Sequence, residues 1–165
     1  MFSMLPLRTG GLVFLYRLMN HPQVRNQVHI GQTSPTFWWR AYQAWRRDTE
    51  EWNFLIYRHR SPVGWLKLNQ AGRKLWISML VISPALQRSG AGTFALHWVE
   101  RFAARHSFLS VSLHTTIDNL PAQRCYLKNG YRITGRDWCT TSDGGHHMRY
   151  TFHKDLQSGR ERTAK

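Results

Sequence analysis

A strand, a glycine-containing loop and a helix follow one another in the middle of this sequence, and this order constrains the fold more than any other feature. Residues 74–82 are almost continuously apolar and Pro84 follows them, which is typical of a strand buried in a sheet. Residues 93–105 carry large apolar side chains at helical spacing that would form one face, namely Phe94, Trp98 and Phe102. The segment therefore predicts a mixed α/β chain in which the loop opens a helix.

The remaining segments complete this pattern. Apolar side chains at helical spacing predict a first helix at residues 11–19, and Pro22 should prevent its continuation. Ser34 and Pro35 indicate the start of a second helix that runs through Trp45. Turn residues and aromatic or β-branched content predict strands at 52–58, 63–68, 108–114, 131–133 and 147–152, and a short helix at 121–128. We therefore predict one domain over residues 1–156 and a frayed basic tail over 157–165.

The loop after the long strand has the composition of a phosphate-binding site, and three kinds of site compete. A dinucleotide fingerprint needs its glycines directly after the strand and an acid about twenty positions later, and the sequence has neither. A P-loop needs Gly-Lys-Ser/Thr, which is also missing. The third kind uses glycines for close backbone approach and the free N–H groups of a helix start to bind phosphate oxygens. Its residues here would be Gln87, Arg88, Ser89, Gly90, Ala91, Gly92 and Thr93.

A second motif follows the next strand and decides among these kinds of site. It contains Asn119, Ala122, Tyr126, Gly130 and Tyr131. These residues resemble the Asn-x-x-Ala-x-x-x-Tyr-x-x-x-Gly-Phe signature of the GNAT superfamily of N-acetyltransferases, and the glycine loop resembles the Q-x-x-G-x-G acetyl-CoA motif of the same family. The interval between the motifs also fits. The resemblance covers residues 75–136, whereas residues 1–74 fit only in general layout.

The resemblance implies a GNAT fold, which is a mixed, mostly antiparallel central sheet that is splayed at the acetyl-CoA site and flanked by helices. It also implies acetyl-CoA as the cosubstrate, with its pyrophosphate on the loop N–H groups. Asn119, with Ala122 in register, would hydrogen-bond the pantetheine arm. Tyr126 matches the tyrosine that protonates the departing CoA thiolate. Backbone groups on the preceding strand would pair with the pantetheine amides, near Leu80, Val81 and Ile82.

The general base is the least defined part of the predicted site. GNAT members often supply a glutamate from the strand ahead of the loop or from the strand before the asparagine. Residues 74–78 contain no acid, and the second position holds His114. His114 titrates near neutrality and could take the proton of the attacking amine directly or through water. A water chain without His114, with the histidine satisfied by neighbouring backbone, is the alternative.

The charge of the chain indicates its kind of partner. Lys and Arg total 23 against nine Asp and Glu, so the formal net charge is +14, which favours anionic partners over a polycationic acceptor. The expected acceptor is a small-molecule or peptide amine, such as a nucleotide-linked amino sugar or a protein N-terminus. The alternative, in a different class, is a basic module that binds nucleic acid, or that binds CoA without turnover.

Further expectations concern metals and location. No bound metal is expected, because the positions of Cys139, His146 and His147 match no zinc-binding spacing. Two cysteines fit reduced thiols, and no segment has the composition of a membrane span or a targeting signal. We therefore expect a cytoplasmic protein without membrane contact, as a monomer or a homodimer.

Overall fold

The computed structural model describes residues 1–156; the tail predicted at 157–165 lies outside the described residues. Single helical turns at Thr9–Gly11 and Pro84–Leu86 join larger elements. In chain order these elements are β1 (Phe2–Pro6), α1 (Leu12–Asn20), α2 (Pro22–Val28), α3 (Pro35–Trp45), β2 (Glu51–Arg58), β3 (Ser61–Ala71), β4 (Lys74–Ile82), α4 (Ala91–Arg105), β5 (Ser110–Thr116), α5 (Leu120–Lys128), β6 (Arg132–Thr140) and β7 (His146–Asp155).

The strands form one sheet in the order β1-β2-β3-β4-β5-β7-β6. The pairing of β4 with β5 is parallel, and the other pairings are antiparallel. The predicted α/β class with a mixed, mostly antiparallel sheet flanked by helices is therefore confirmed. Among residues 1–156, no helix is both long enough and apolar enough to cross a lipid bilayer.

Helices cover both faces of the sheet because successive strand residues point to opposite sides. On one face, Leu75 and Ile77 of β4 share a core with residues of α4 and α5, among them Leu96 and Tyr126. On the other face, α1, α2 and α3 pack on β2, β3 and β4 around a second set of buried side chains: Leu15, Leu18, Met19, Val24, Trp38, Leu55, Trp65 and Val81. Tyr126 thus belongs to the core under α5, next to β4 and β5.

Several elements differ from the sequence prediction. Pro22 does end the first helix, but it also begins α2, because a proline in the first helical turn loses no hydrogen bond. The His21 ring nitrogen Nδ1 accepts from the Gln23 N–H at 3.2 Å and caps this helix. The prediction lacked α2 and β1, and α4 begins at Ala91 rather than at residue 93. The strand predicted at 108–114 is shifted by two residues to β5, and the strand predicted at 131–133 is lengthened to β6.

The sheet opens between β4 and β5, and this opening positions the site. The parallel pairing ends at the pair Ile77–Leu113, although both strands continue. The register of β4 against β3 shifts at the same place and leaves Ser78 as the extra residue of a β-bulge. A bulge bends the strand that carries it. The bend accounts for the divergence of β4 from β5 beyond Ile77.

Candidate active site

A cleft of about 450 Å³ lies along the end of β4, where this strand has parted from β5. It is bordered by β4, the glycine loop, the first turn of α4, the end of α2 and most of α5, with Tyr126 among its lining residues. Most residues that were predicted to bind the cofactor line this cleft, namely Leu80, Val81, Ile82, Gln87, Arg88, Gly90, Gly92, Thr93, Asn119 and Ala122. The fold therefore brings the two sequence motifs to one shared space.

The glycine loop leads into a helix N-terminus that no side chain caps. Gly90 is the N-cap residue of α4 and has the left-handed φ of 90° that glycine adopts at little cost. The first N–H groups of α4 are then available to anionic oxygens, which the positive end of the helix dipole also favours. Arg88, Arg124 and Lys128 line the same cleft and add positive charge. This end of the cleft suits a pyrophosphate.

Two residues of the predicted loop do not line the cleft with their side chains. The Ser89 hydroxyl donates to the Leu86 carbonyl at 2.5 Å, which holds the turn, and Ala91 is buried. Gln87 lines the cleft, but its side-chain amide is engaged by α2, because Nε2 donates to the Gln27 Oε1 at 3.0 Å. Ser89 and Ala91 can therefore serve a ligand only through their backbone.

Asn119 is the N-cap of α5, where its Oδ1 accepts from the Ala122 N–H at 3.4 Å. The acceptor end of this side chain is thereby used to hold the helix start. Its Nδ2 group is left as the donor that can meet a carbonyl oxygen of a ligand in the cleft. A single side chain thus fixes α5 and offers a hydrogen-bond donor to the cleft.

Tyr126 follows on α5, almost fully buried and packed against the rings of Tyr131 and Phe152. Burial, reinforced by the neighbouring Cys125, holds the pKa of its hydroxyl far above the ordinary value. The hydroxyl therefore holds its proton at physiological pH, and its position among the residues that line the cleft, rather than the raised pKa, suits it to donate that proton. Burial likewise raises the pKa of the Cys125 thiol, which makes Cys125 a packing residue rather than a nucleophile.

A second cavity of about 180 Å³ adjoins the cleft and contains His114. The two spaces share five lining residues, which are Gln27, Val28, Leu80, Asn119 and Tyr126. The second cavity is further lined by Ser78, Met79, Thr116, Cys139 and Arg149. His114 and Tyr126, the two predicted catalytic residues, therefore border the same space.

His114 is held on β5 by neighbours from β4 and β7. Its ring packs on Trp76 with centroids 4.7 Å apart, and its Nδ1 lies 3.2 Å from the Thr151 hydroxyl oxygen. Burial lowers the pKa of His114 below its ordinary value and the cationic Arg149 lowers it further, while Asp137 opposes the shift. A lowered pKa keeps the imidazole neutral at physiological pH, which is the form that accepts a proton.

Sequence reasoning missed several lining residues. Gln27 and Val28 come from α2, and Arg149 comes from β7, neither of which carries a recognisable motif. Arg124 and Lys128 were predictable as lining residues from the sequence. They are four positions apart on one helix and therefore lie on the same face of it, and this helix begins next to Asn119, which was itself predicted to bind the cofactor.

Comparison with models of protein families gives a match over most of the chain. The chain matches the family model described as the acetyltransferase (GNAT) family over residues 13–131. No curated protein is similar enough in sequence to give a match.

Three solved structures with the same fold are distant from this chain in sequence. The spermidine N-acetyltransferase from Vibrio cholerae, in complex with CoA and spermine, is 16% identical with a TM-score of 0.84, over 94% of this chain and 95% of that one. The ribosomal-protein-S18-alanine N-acetyltransferase from Escherichia coli is 15% identical with a TM-score of 0.73, over the whole of both chains. The aminoglycoside acetyltransferase AAC(6')-Ib, in complex with coenzyme A, is 15% identical with a TM-score of 0.79, over 95% of this chain and 96% of that one.

Proposed function

The chain belongs to the acetyltransferase (GNAT) family, and from this premise we propose that it moves the acetyl group of acetyl-CoA to the primary amine of a neutral or anionic acceptor. One observation carries the proposal. The cleft lined by the two motifs meets the cavity of His114 at a junction that includes Asn119 and Tyr126. Acetyl-CoA would lie in the cleft with its thioester at this junction, and the amine would enter from the cavity.

The reaction is a direct transfer. The neutral amine attacks the thioester carbonyl, a C–N bond forms, and the C–S bond breaks as the tetrahedral intermediate collapses. Tyr126 gives its proton to the departing thiolate and later regains one from solvent. Because no covalent enzyme intermediate forms, most of the rate enhancement comes from holding the two substrates in register.

His114 accepts the proton that the amine loses, directly or through one water. Support comes from its position in the cavity and from the lowered pKa that keeps its ring neutral. The lone pair of the neutral His114 ring is then available at the same pH at which part of the acceptor amine is uncharged.

The acceptor class follows from the charges around the cavity. Among residues 1–156, the side chains that line it include Arg149 and no Asp or Glu. The carboxylate of Asp137 is nearby, but it is bound to Arg149 through bonds of 3.0 and 3.1 Å. Inside the cavity a second ammonium group on the acceptor would therefore meet positive charge rather than a partner, and the Asp118 carboxylate beside the cavity is already in contact with His29. We place a nucleotide-linked amino sugar or a protein N-terminus ahead of a polyamine.

The solved relatives leave this choice open. Their names assign them spermidine, an alanine of ribosomal protein S18, and aminoglycosides, so one fold accepts both small polycations and a protein. At identities of 15–16% these solved structures show the fold alone, so the proposed charge of the acceptor rests on the cavity of this chain.

An amine panel tests the proposal. The purified chain is supplied with acetyl-CoA and, separately, with a nucleotide-linked amino sugar, an amino sugar phosphate, peptides with a free N-terminus, spermidine and an aminoglycoside, and CoA release is followed. We expect the anionic or peptide amines to give the highest kcat/KM. Turnover confined to spermidine or the aminoglycoside would overturn the acceptor class. If 1 mM acetyl-CoA also failed to raise the melting temperature, the placement of the cosubstrate would be wrong.

A further inference from the structure

Three side chains with metal-ligating atoms meet at the outer border of the cavity, although they are far apart in sequence. His29 directly follows α2, Asp118 lies in the loop between β5 and α5, and His147 lies near the start of β7. One ligand atom from each lies within 4.8 Å of those of the other two. We propose that His29, Asp118 and His147 bind one divalent transition-metal ion.

The distances around His29 fit such a site. Its Nε2 lies 3.0 Å from Oδ2 and 3.3 Å from Oδ1 of Asp118. Two ligand atoms that are each about 2.1 Å from one ion lie about 3.0–3.4 Å apart in octahedral or tetrahedral coordination. The separation of these atoms therefore matches that of two ligands on one ion, and the largely exposed Asp118 carboxylate would swing aside to admit the ion beside Nε2.

The second ring nitrogen of His29, Nδ1, has the surroundings that are usual for the non-ligating nitrogen of a metal-bound histidine. Nδ1 lies 3.6 Å from the Asp143 Oδ2, so a proton on Nδ1 faces a carboxylate. Metal-bound histidines commonly present their second N–H to a carboxylate or a carbonyl, which fixes the tautomer and strengthens the bond to the metal. Asp143 would have this supporting role and leave Nε2 as the ligand atom.

The backbone fixes the position of His29. The residue adopts a left-handed φ of 53° at the end of α2, and its carbonyl accepts from the Asp143 N–H at 3.3 Å and from the Ser142 hydroxyl at 3.4 Å. The His147 ring stacks on the His29 ring, with centroids 3.6 Å apart and planes 26° apart. Rotation of the His147 side chain out of this stack would complete the site.

The donor set selects the kind of metal. Two imidazoles and one carboxylate suit Zn²⁺, Co²⁺, Ni²⁺ or Cu²⁺, whereas Mg²⁺ and Ca²⁺ prefer sets of oxygen ligands. Water would fill the remaining positions. The set differs from the combination of Cys139, His146 and His147 that sequence spacing rejected, because His29 and Asp118 reach His147 only through the fold.

Each proposed ligand is next to a residue that lines the cavity. His29 follows Val28, Asp118 precedes Asn119, and His147 is the cross-strand partner of Cys139. An ion would therefore fasten the end of α2, the start of α5 and the β6–β7 hairpin to one another, and would stabilise the walls around the acceptor. This inference does not depend on the identity of the acceptor.

Metal titration of the complete, tag-free chain tests the site. After treatment with a chelator, the chain is titrated with Co²⁺, followed by absorption, and with Zn²⁺, followed by calorimetry. We expect one ion per chain, visible Co²⁺ bands of a nitrogen- and oxygen-ligated site, and a melting temperature that rises with Zn²⁺. The substitutions His29→Gln, Asp118→Asn and His147→Gln should each weaken binding by about tenfold or more.

The control is His146→Gln, which removes an exposed histidine next to His147 and should leave binding unchanged. Asp118 is largely exposed, so Asp118→Asn keeps the test valid if a histidine variant does not fold. Absence of Co²⁺ and Zn²⁺ binding in the unaltered chain would overturn the proposal. Equal binding by the unaltered chain and the three variants would also overturn it.

Discussion

The side-chain amides of Gln27 and Gln87 bind each other reciprocally. Gln87 Nε2 donates to Gln27 Oε1 at 3.0 Å, and Gln27 Nε2 lies 3.4 Å from Gln87 Oε1. Gln87 also donates to the Ile82 carbonyl at 3.3 Å, at the end of β4. Because Gln27 lines both the cleft and the cavity of His114 and Gln87 belongs to the glycine loop, the pair connects the loop to the wall between the two proposed substrate sites.

We expect Gln27→Ala and Gln87→Ala each to raise the KM of both substrates by about three- to tenfold, the size of one or two lost hydrogen bonds. Steady-state kinetics with each substrate varied in turn would measure this. The double variant should be no worse than Gln87→Ala, because Gln87→Ala already breaks the pair and also removes the bond to the Ile82 carbonyl. Gln32→Ala, in an exposed loop, is the control. Strictly additive losses would show that the two amides act separately.

Tyr126→Phe removes the proposed proton donor and keeps the buried ring. We expect kcat to fall about 100-fold or more, with little change in the KM for acetyl-CoA, because the hydroxyl acts on the departing thiolate. Tyr131→Phe is a matched control, since Tyr131 is a buried tyrosine whose ring centroid lies 6.3 Å from that of Tyr126 and which does not line the cleft. Equal kcat values for the two variants would remove Tyr126 from the chemistry.

The titration of His114 should cause the fall of kcat/KM at low pH, which is the acidic limb of the pH profile. Because its pKa is lowered, His114 becomes protonated only at a pH below 6.5, the ordinary pKa of histidine, and only then stops acting as a base. We therefore expect kcat/KM for the acceptor to fall below that pH in the unaltered chain, and this limb to be missing in His114→Gln. The acceptor's own ammonium group titrates at higher pH and affects both proteins alike. An unchanged acidic limb would favour a water chain as the base.

Asp137→Asn tests the same assignment without touching the base. Asp137 raises the pKa of His114, whereas Arg149 lowers it. Removal of the carboxylate therefore lowers the pKa of His114 further, and the acidic limb should move to lower pH. The measurement is the pH profile of kcat/KM in both proteins. A shift to higher pH would contradict the charge arrangement described for this cavity.

The sequence was sufficient for the parts of the site that are built locally. The β4–loop–α4 segment and the short helix α5 depend on neighbours within a few residues, and both were predicted, although the cap that Asn119 provides was not. By contrast, α2 escaped prediction because Pro22 is equally compatible with the end of one helix and the start of the next, and His21 is not among the preferred cap residues.

Other features depend on contacts between distant segments. The bulge at Ser78, which parts β4 from β5, exists only in the register with β3 and leaves no pattern in the sequence. The meeting of His29 with Asp118 and His147 likewise requires α2, α5 and the β6–β7 hairpin to be in place. The exposed strand β6 lacks alternation between buried and exposed residues, so its extent to Thr140 could not be inferred.

Gly90→Ala separates the binding role of the glycine loop from its role in folding. At Gly90 an added Cβ meets no atom within 4 Å, but the φ of 90° is strained for any residue with a side chain. We expect the free energy of unfolding to fall by about 1 kcal/mol. The tilt of the first N–H groups of α4 should also change, which would weaken acetyl-CoA binding several-fold in calorimetry.

Gly72→Ala is the matched control, because Gly72 also has a positive φ, of 60°, and open space around it, but lies in the turn between β3 and β4 and does not line the cleft. It should lose a similar free energy of unfolding and keep its affinity for acetyl-CoA. Equal affinities in the two variants would mean that the uncapped N-terminus of α4 does not hold the pyrophosphate. A loss in Gly90→Ala alone is the result expected if those N–H groups bind it.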